Sequence, residues 1–168
     1  MYLGYDNVGW QSEALGASTY KGVYKKVTPP RSGLLVAIEG YMQGNATNVQ
    51  CVKAAVLSDV GGKPGVILGM IGAETGNSIT ILDVQLDTEP RWLSCPMSMW
   101  LQGGTPYWLN FRHGFGSSLY YNNQAAQEIG TNVDLEWSAV NETWHRDGSV
   151  MTFTLSSKRW CVRAPFVF

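Results

Sequence analysis

Apolar and polar residues alternate along the chain in short runs, and glycine, proline and asparagine separate the runs. This is the period of β-strands rather than of helices. Residues 20–28 set Val23 and Val27 on one side and Tyr20 and Tyr24 on the other. Pro29-Pro30 then ends the run, because neither proline can donate to a ladder. Residues 34–42 read as a largely buried strand with Leu34, Val36 and Ile38 turned inward, closed by Gly44-Asn45. Residues 49–58 place Val52, Ala54 and Val56 on one face, and residues 78–86 do the same with Leu82, Val84 and Leu86. Residues 97–101 and 106–112, joined by Gln102-Gly103-Gly104-Thr105, read as a hairpin.

Further along, residues 119–122 form a short strand, and Met151, Phe153 and Leu155 alternate with Thr152 and Thr154. Residues 160–168 form an apolar last strand, expected to dock into a sheet because exposing Phe166-Val167-Phe168 would be costly. The best helical candidate, Asn123-Gln124-Ala125-Ala126-Gln127-Glu128, is polar and too brief for more than a turn or two. About eight or nine strands at roughly ten-residue spacing point to an all-β chain, an antiparallel sandwich or barrel. No stretch resembles a linker or a repeat, so residues 1–168 are expected to form a single domain.

Composition narrows the function. Only 15% of residues are charged and the net charge is −1, while the chain carries 7 Trp and 8 Tyr. A surface so poor in charge and rich in rings is suited to meeting a partner or ligand. Lys25-Lys26 and Lys158-Arg159 are too short to neutralise a phosphate backbone, so nucleic-acid binding is not expected. No apolar run has the length of a membrane-spanning helix. The first six residues have neither a basic start nor an apolar core, so a signal peptide is not expected. Cys51, Cys95 and Cys161 match no metal-ligand spacing. Three buried thiols are the favoured reading, ahead of an intermolecular disulfide or one intrachain pair.

Candidate chemistry is sparse. The histidines are His113 and His145; Ser117 and Ser118 lie near His113 in sequence, but no nucleophile elbow surrounds them. Asp83, Asp134 and Glu136 give no reason to be paired across a cleft, and the last two repel if they share a strand face. A calcium site would have to be built on Asp59 and loop carbonyls, without an acidic loop to help. No cofactor or metal is expected. Asn45-Ala46-Thr47 and Asn141-Glu142-Thr143 match the glycosylation pattern and read as chance. The best ligand hypothesis is an aromatic surface for sugars at Tyr120, Tyr121, Trp137 and Trp144, with Trp160 nearby. Flat rings stack on pyranose faces, and Asn122 or Asn123 would bond hydroxyls. Against it stands ordinary core and interface packing of the same rings.

Residues 53–111 carry a resemblance. Lys53-Ala54-Ala55-Val56-Leu57-Ser58-Asp59 runs into Val60-Gly61-Gly62-Lys63-Pro64-Gly65, then Val66-Ile67-Leu68-Gly69, and later Leu101-Gln102-Gly103-Gly104-Thr105-Pro106-Tyr107-Trp108-Leu109. This resembles a jelly-roll module of bacteriophage structural proteins and bacterial surface proteins. In that module a strand ending in "YSD" leads to a "GGxPG" turn, and a later "GTxYWL" hairpin completes the pair. Leu57 stands where the module has Tyr. Residues 20–42 resemble its lead-in. The resemblance implies a jelly-roll-like sandwich and a non-enzymatic virion protein, assembled in a host cytoplasm. Decoration, fibre or receptor-contacting roles all fit, with other virion proteins, further copies of itself and a host surface glycan as the implied partners. A carbohydrate-binding module is the alternative, and a β-sandwich hydrolase the third. The turn has its own physics: Gly61-Gly62 supplies positive φ and Pro64 the next bend.

Overall fold

In the computed structural model the described residues are 1–9, 11–13, 22–43, 49–50, 52–71, 73–75, 78–80, 84–85, 89–113, 118–123, 136–140, 152–155 and 158–168. Among them the chain is all-β, without a helix, and every strand pair is antiparallel. Two sheets pack together as a β-sandwich. The seven-stranded sheet contains β1 (Tyr2–Gly4), β2 (Gln11–Glu13), β4 (Gly33–Gln43), β11 (Arg91–Leu101), β13 (Ser118–Asn123), β16 (Lys158–Trp160) and β17 (Val162–Val167). The six-stranded sheet runs β15 (Thr152–Leu155), β14 (Glu136–Val140), β3 (Gly22–Val27), β12 (Tyr107–His113), β6 (Val52–Val60), β7 (Lys63–Ile71). Two small ladders pair β5 (Val49–Gln50) with β10 (Val84–Gln85) and β8 (Ala73–Thr75) with β9 (Ser78–Thr80).

The core lies between the sheets. Leu35, Ile38, Met42, Leu93, Cys95, Leu101, Val162, Ala164 and Phe166 come from one side; Val23, Val27, Ala54, Val56, Tyr107, Leu109 and Phe111 come from the other. The expected pairing of Val23 with Val27 and of Ala54 with Val56 therefore holds. Across the core the Phe111 ring lies on Gly40. A Cβ there would stand 2.6 Å from two of its ring carbons, so only glycine admits that ring.

Three expectations are corrected. Leu34 and Val36 are half-buried on the outer face, while Leu35, Ile38 and Met42 point into the core. The alternation changes phase between Leu35 and Ile38, where the pairing of β4 with β17 and with β11 shifts register. A bulge of one residue moves every later side chain to the other face.

Residues 97–101 and 106–112 do not form a hairpin. β11 pairs with β4, and β12 pairs with β3 and β6, so residues 102–106 cross from one sheet to the other. The crossing is pinned to the opposite crossing at residues 28–32. Gly103 N donates to Ser32 Oγ (2.9 Å), Gly104 N to Pro29 O (2.8 Å), and Gln102 N to the Tyr107 hydroxyl (3.0 Å). By contrast Gly61-Gly62 does close a hairpin, β6 to β7, with φ of 60° and 80°. Both values suit a two-residue mirror-image turn that matches strand twist.

The last strand docks between β1 and β4 as expected, with Phe166 buried, yet Val167 and Phe168 remain exposed. The helical candidate over 123–128 places Asn123 in β13, and its other residues lie outside those described.

Candidate functional site

Three of the four aromatic candidates lie on described strands. Tyr120 and Tyr121 lie on β13 in the seven-stranded sheet, and Trp137 lies on β14 in the six-stranded sheet, opposite Tyr24 and Leu155. Trp144 lies outside the described residues. His113 is the last residue of β12, Ser118 the first of β13 and Glu136 the first of β14; Ser117, Asp83, Asp134 and His145 lie outside the described residues. Cys95 and Cys161 are buried thiols outside any disulfide, the favoured reading for these two, and Cys51 lies outside the described residues.

The side chains that are described divide by sheet face. On the six-stranded sheet the face away from the core carries Tyr24, Ala55, Leu57, Trp108 and Asn110, all fully buried. Its polar groups are tied in, except for one amide oxygen. Trp108 Nε1 donates to Asp59 Oδ1 at 2.8 Å, Lys26 Nζ lies 3.4 Å from the same oxygen, and Gly62 N donates to Asp59 Oδ2 at 3.2 Å. Asp59 thus holds both the strand and the glycine turn, and spends both carboxylate oxygens on the protein. Asn110 Nδ2 donates to Val23 O, and its Oδ1 has no hydrogen-bond partner. The neighbouring Lys25 is buried between the sheets with its ammonium 5.7 Å from the Tyr5 ring centre. Neither lysine of that pair is a free surface cation.

Among the described residues the outer face of the seven-stranded sheet is open around Trp100, Val167 and Phe168. Along β11 the core takes Leu93, Cys95 and Leu101, with Met97 and Met99 packed against it, so Trp92, Ser94, Pro96, Ser98 and Trp100 point out. Register sets Trp100 beside Leu34 and Leu34 beside Val167, an apolar row across three strands. Trp100 is 67% exposed, Val167 61% and the adjoining Phe168 59%. Val36, Pro96, Pro165 and Tyr2 continue the apolar half of the face.

Its other half is aromatic and ionic. Arg163 places its guanidinium 3.8 Å from the Trp92 ring centre and 4.0 Å from that of Tyr2, and Arg163 Nε donates to Glu39 Oε2 at 2.7 Å. Trp92 meets Tyr41 at 5.4 Å and 56°. A sugar platform needs a ring face in water and, at best, two coplanar rings. Here the cation takes up ring surface, and the aromatic pairs among the described residues are tilted.

Edges differ from faces. β7 ends the six-stranded sheet and exposes Val66, Ile67 and Leu68; among the described residues β11 pairs with β4 alone. β7 contains Pro64 and two register shifts against β6, and β11 contains the exposed Pro96 and one shift against β4. Prolines and bulges blunt an edge against added strands.

Sequence reasoning missed the open face because it began the strand at residue 97. The signal was present: Trp92 and Trp100 share the phase of Ser94 and Ser98, which marks them as outward. Among the described residues no three His, Cys, Asp or Glu cluster as metal ligands, and no helix is long and apolar enough to cross a membrane. Compared with known proteins, the chain matches no family model, no curated protein and no solved structure.

Proposed function

We propose that this chain is a non-enzymatic assembly protein that presents the open face of its seven-stranded sheet to another protein. The observation that carries this reading is the apolar Trp100–Leu34–Val167 row, in which half-buried Leu34 joins the exposed Trp100 and Val167. Leaving such a row in water is unfavourable, and contiguous exposed apolar patches on soluble domains mark contact surfaces. The jelly-roll resemblance of residues 53–111 supplies the setting: a subunit of a phage-like virion, as decoration, fibre or receptor-contacting protein, assembled in the host cytoplasm.

The test is density-gradient fractionation of source material with mass spectrometry of the particle band. Stoichiometric recovery of the chain with particles is the expected result. Recovery only as free protein would overturn the virion reading and turn attention to a glycan screen.

A further inference from the structure

We infer that the occupant of the open face is a second copy of this chain, packed face to face about a two-fold axis; this rests on the assembly reading above. Three observations favour a like partner. The first is area. Tyr2, Trp100, Val167 and Phe168 alone leave on the order of 500 Å² of surface in water at their observed exposures. Leu34, Val36, Pro96 and Pro165 extend the patch towards the roughly 800 Å² per side that a stable interface buries.

The second is charge. The Glu39–Arg163 ion pair at 2.7 Å neutralises the ionic half of the face from within. This pair therefore brings no like-charge repulsion to an identical face, while the exposed Arg31 lies with its guanidinium 5.5 Å from the Phe168 ring centre.

The third is the blunting of the edges. Pro96 and the register shift on β11 discourage growth by strand addition at the edge that carries Trp100. Face-to-face sheets stack about 10 Å apart with interdigitated side chains. An isologous contact sets Trp100 of each copy over the Leu34–Val167 row of the other.

Sedimentation velocity on the purified chain, from micromolar to hundred-micromolar concentration, reads the pairing directly. The wild type is expected to show a concentration-dependent dimer. Trp100→Glu and, separately, Val167→Glu are expected to weaken it by at least about 30-fold, the effect of losing a central anchor. Val66→Glu, on the β7 edge, is expected to leave it unchanged. Circular dichroism melts verify that each variant folds.

A wild type that stays monomeric throughout, or a dimer broken by Val66→Glu but not by Trp100→Glu, would overturn the proposal. If that monomer is nevertheless stoichiometric in particles, self-pairing fails while the assembly reading stands. A dimer sensitive to Trp100→Glu in a chain absent from particles supports self-pairing and defeats the virion setting.

Discussion

Two tryptophans, both pointing away from the shared core, have opposite fates: Trp108 is fully buried and Trp100 is 67% exposed. Each sits on the outer face of its own sheet among aliphatic neighbours. On the six-stranded sheet Trp108 lies with Tyr24, Ala55 and Leu57, and its ring nitrogen is tied to Asp59. On the seven-stranded sheet Trp100 lies with Leu34 and Val167, and its ring is open to water. The same residue chemistry thus serves two ends. A closed apolar face contributes to folding, because its area leaves water within the chain. An open one keeps that free energy in reserve for a partner.

The sharpest way to break this contrast is to truncate both rings. Trp108→Ala is expected to cost about 3–5 kcal/mol, through lost burial and the cavity left behind. Trp108→Phe, which fills most of the space but removes the donor to Asp59, should cost about 1–3 kcal/mol. Trp100→Ala should stay within about 0.5 kcal/mol, as surface substitutions do. Urea denaturation at a protein concentration low enough to keep the chain monomeric measures all three. A comparable loss at Trp100 would show that the second face also contributes to folding the monomer.

The region between the two faces offers the next test. Burial pushes the Cys95 thiol up to about 12, and the negative charge of Glu39 adds to the shift. Between about pH 9 and 12 the folded chain holds this proton where the unfolded chain has released it. By linkage the thiol's contribution to stability is complete below about pH 9 and is lost as pH rises, at up to ~1.4 kcal/mol per unit. Cys95→Ala is expected to flatten that decline relative to wild type in denaturation curves taken from pH 8.5 upward. Parallel declines in the two proteins would place Cys95 in contact with water.

Much of the architecture was legible in the residues themselves. Strict alternation identified the strands around Val23, Ala54 and Leu109, and Gly61-Gly62 identified a turn whose positive φ values only glycine adopts cheaply. Two features were not legible for physical reasons. A bulge in β4 reverses the phase after Leu35, and nothing in the run of small and branched residues there marks it. A glycine-rich connection between two strands looks the same whether it folds back within a sheet or crosses to the other; the difference lies in distant partners, Pro29 and Ser32.

The candidate site was legible least of all. Alternation shows which residues point outward, as at Trp92 and Trp100, but whether other chain covers that face depends on tertiary packing. The aromatic-rich 120–144 region therefore drew the sugar hypothesis towards Tyr120, Tyr121, Trp137 and Trp144, while the exposed rings the structure describes are Tyr2 on β1, Trp100 on β11 and Phe168 after β17.

The smallest expected effect concerns what the ionic half of the open face is for. Arg163 lies close to both Trp92 and Tyr2 and is ion-paired with Glu39, with both charged side chains largely shielded at 16% and 14% exposure. A planar guanidinium can stack on rings while its Nε–H meets a carboxylate; an ammonium cannot do both. Arg163→Lys should therefore keep the charge, lose the stack and cost roughly 0.5–1 kcal/mol. Trp92→Leu removes one of the two rings. If the stack is held in solution, the double variant should lose less than the two single losses added together, and the shortfall measures the coupling. A coupling near zero would mean that the guanidinium does not stay on the ring. The faces of Trp92 and Tyr2 would then be free to receive a flat ligand, and sugar binding would gain over assembly as the use of this half of the sheet.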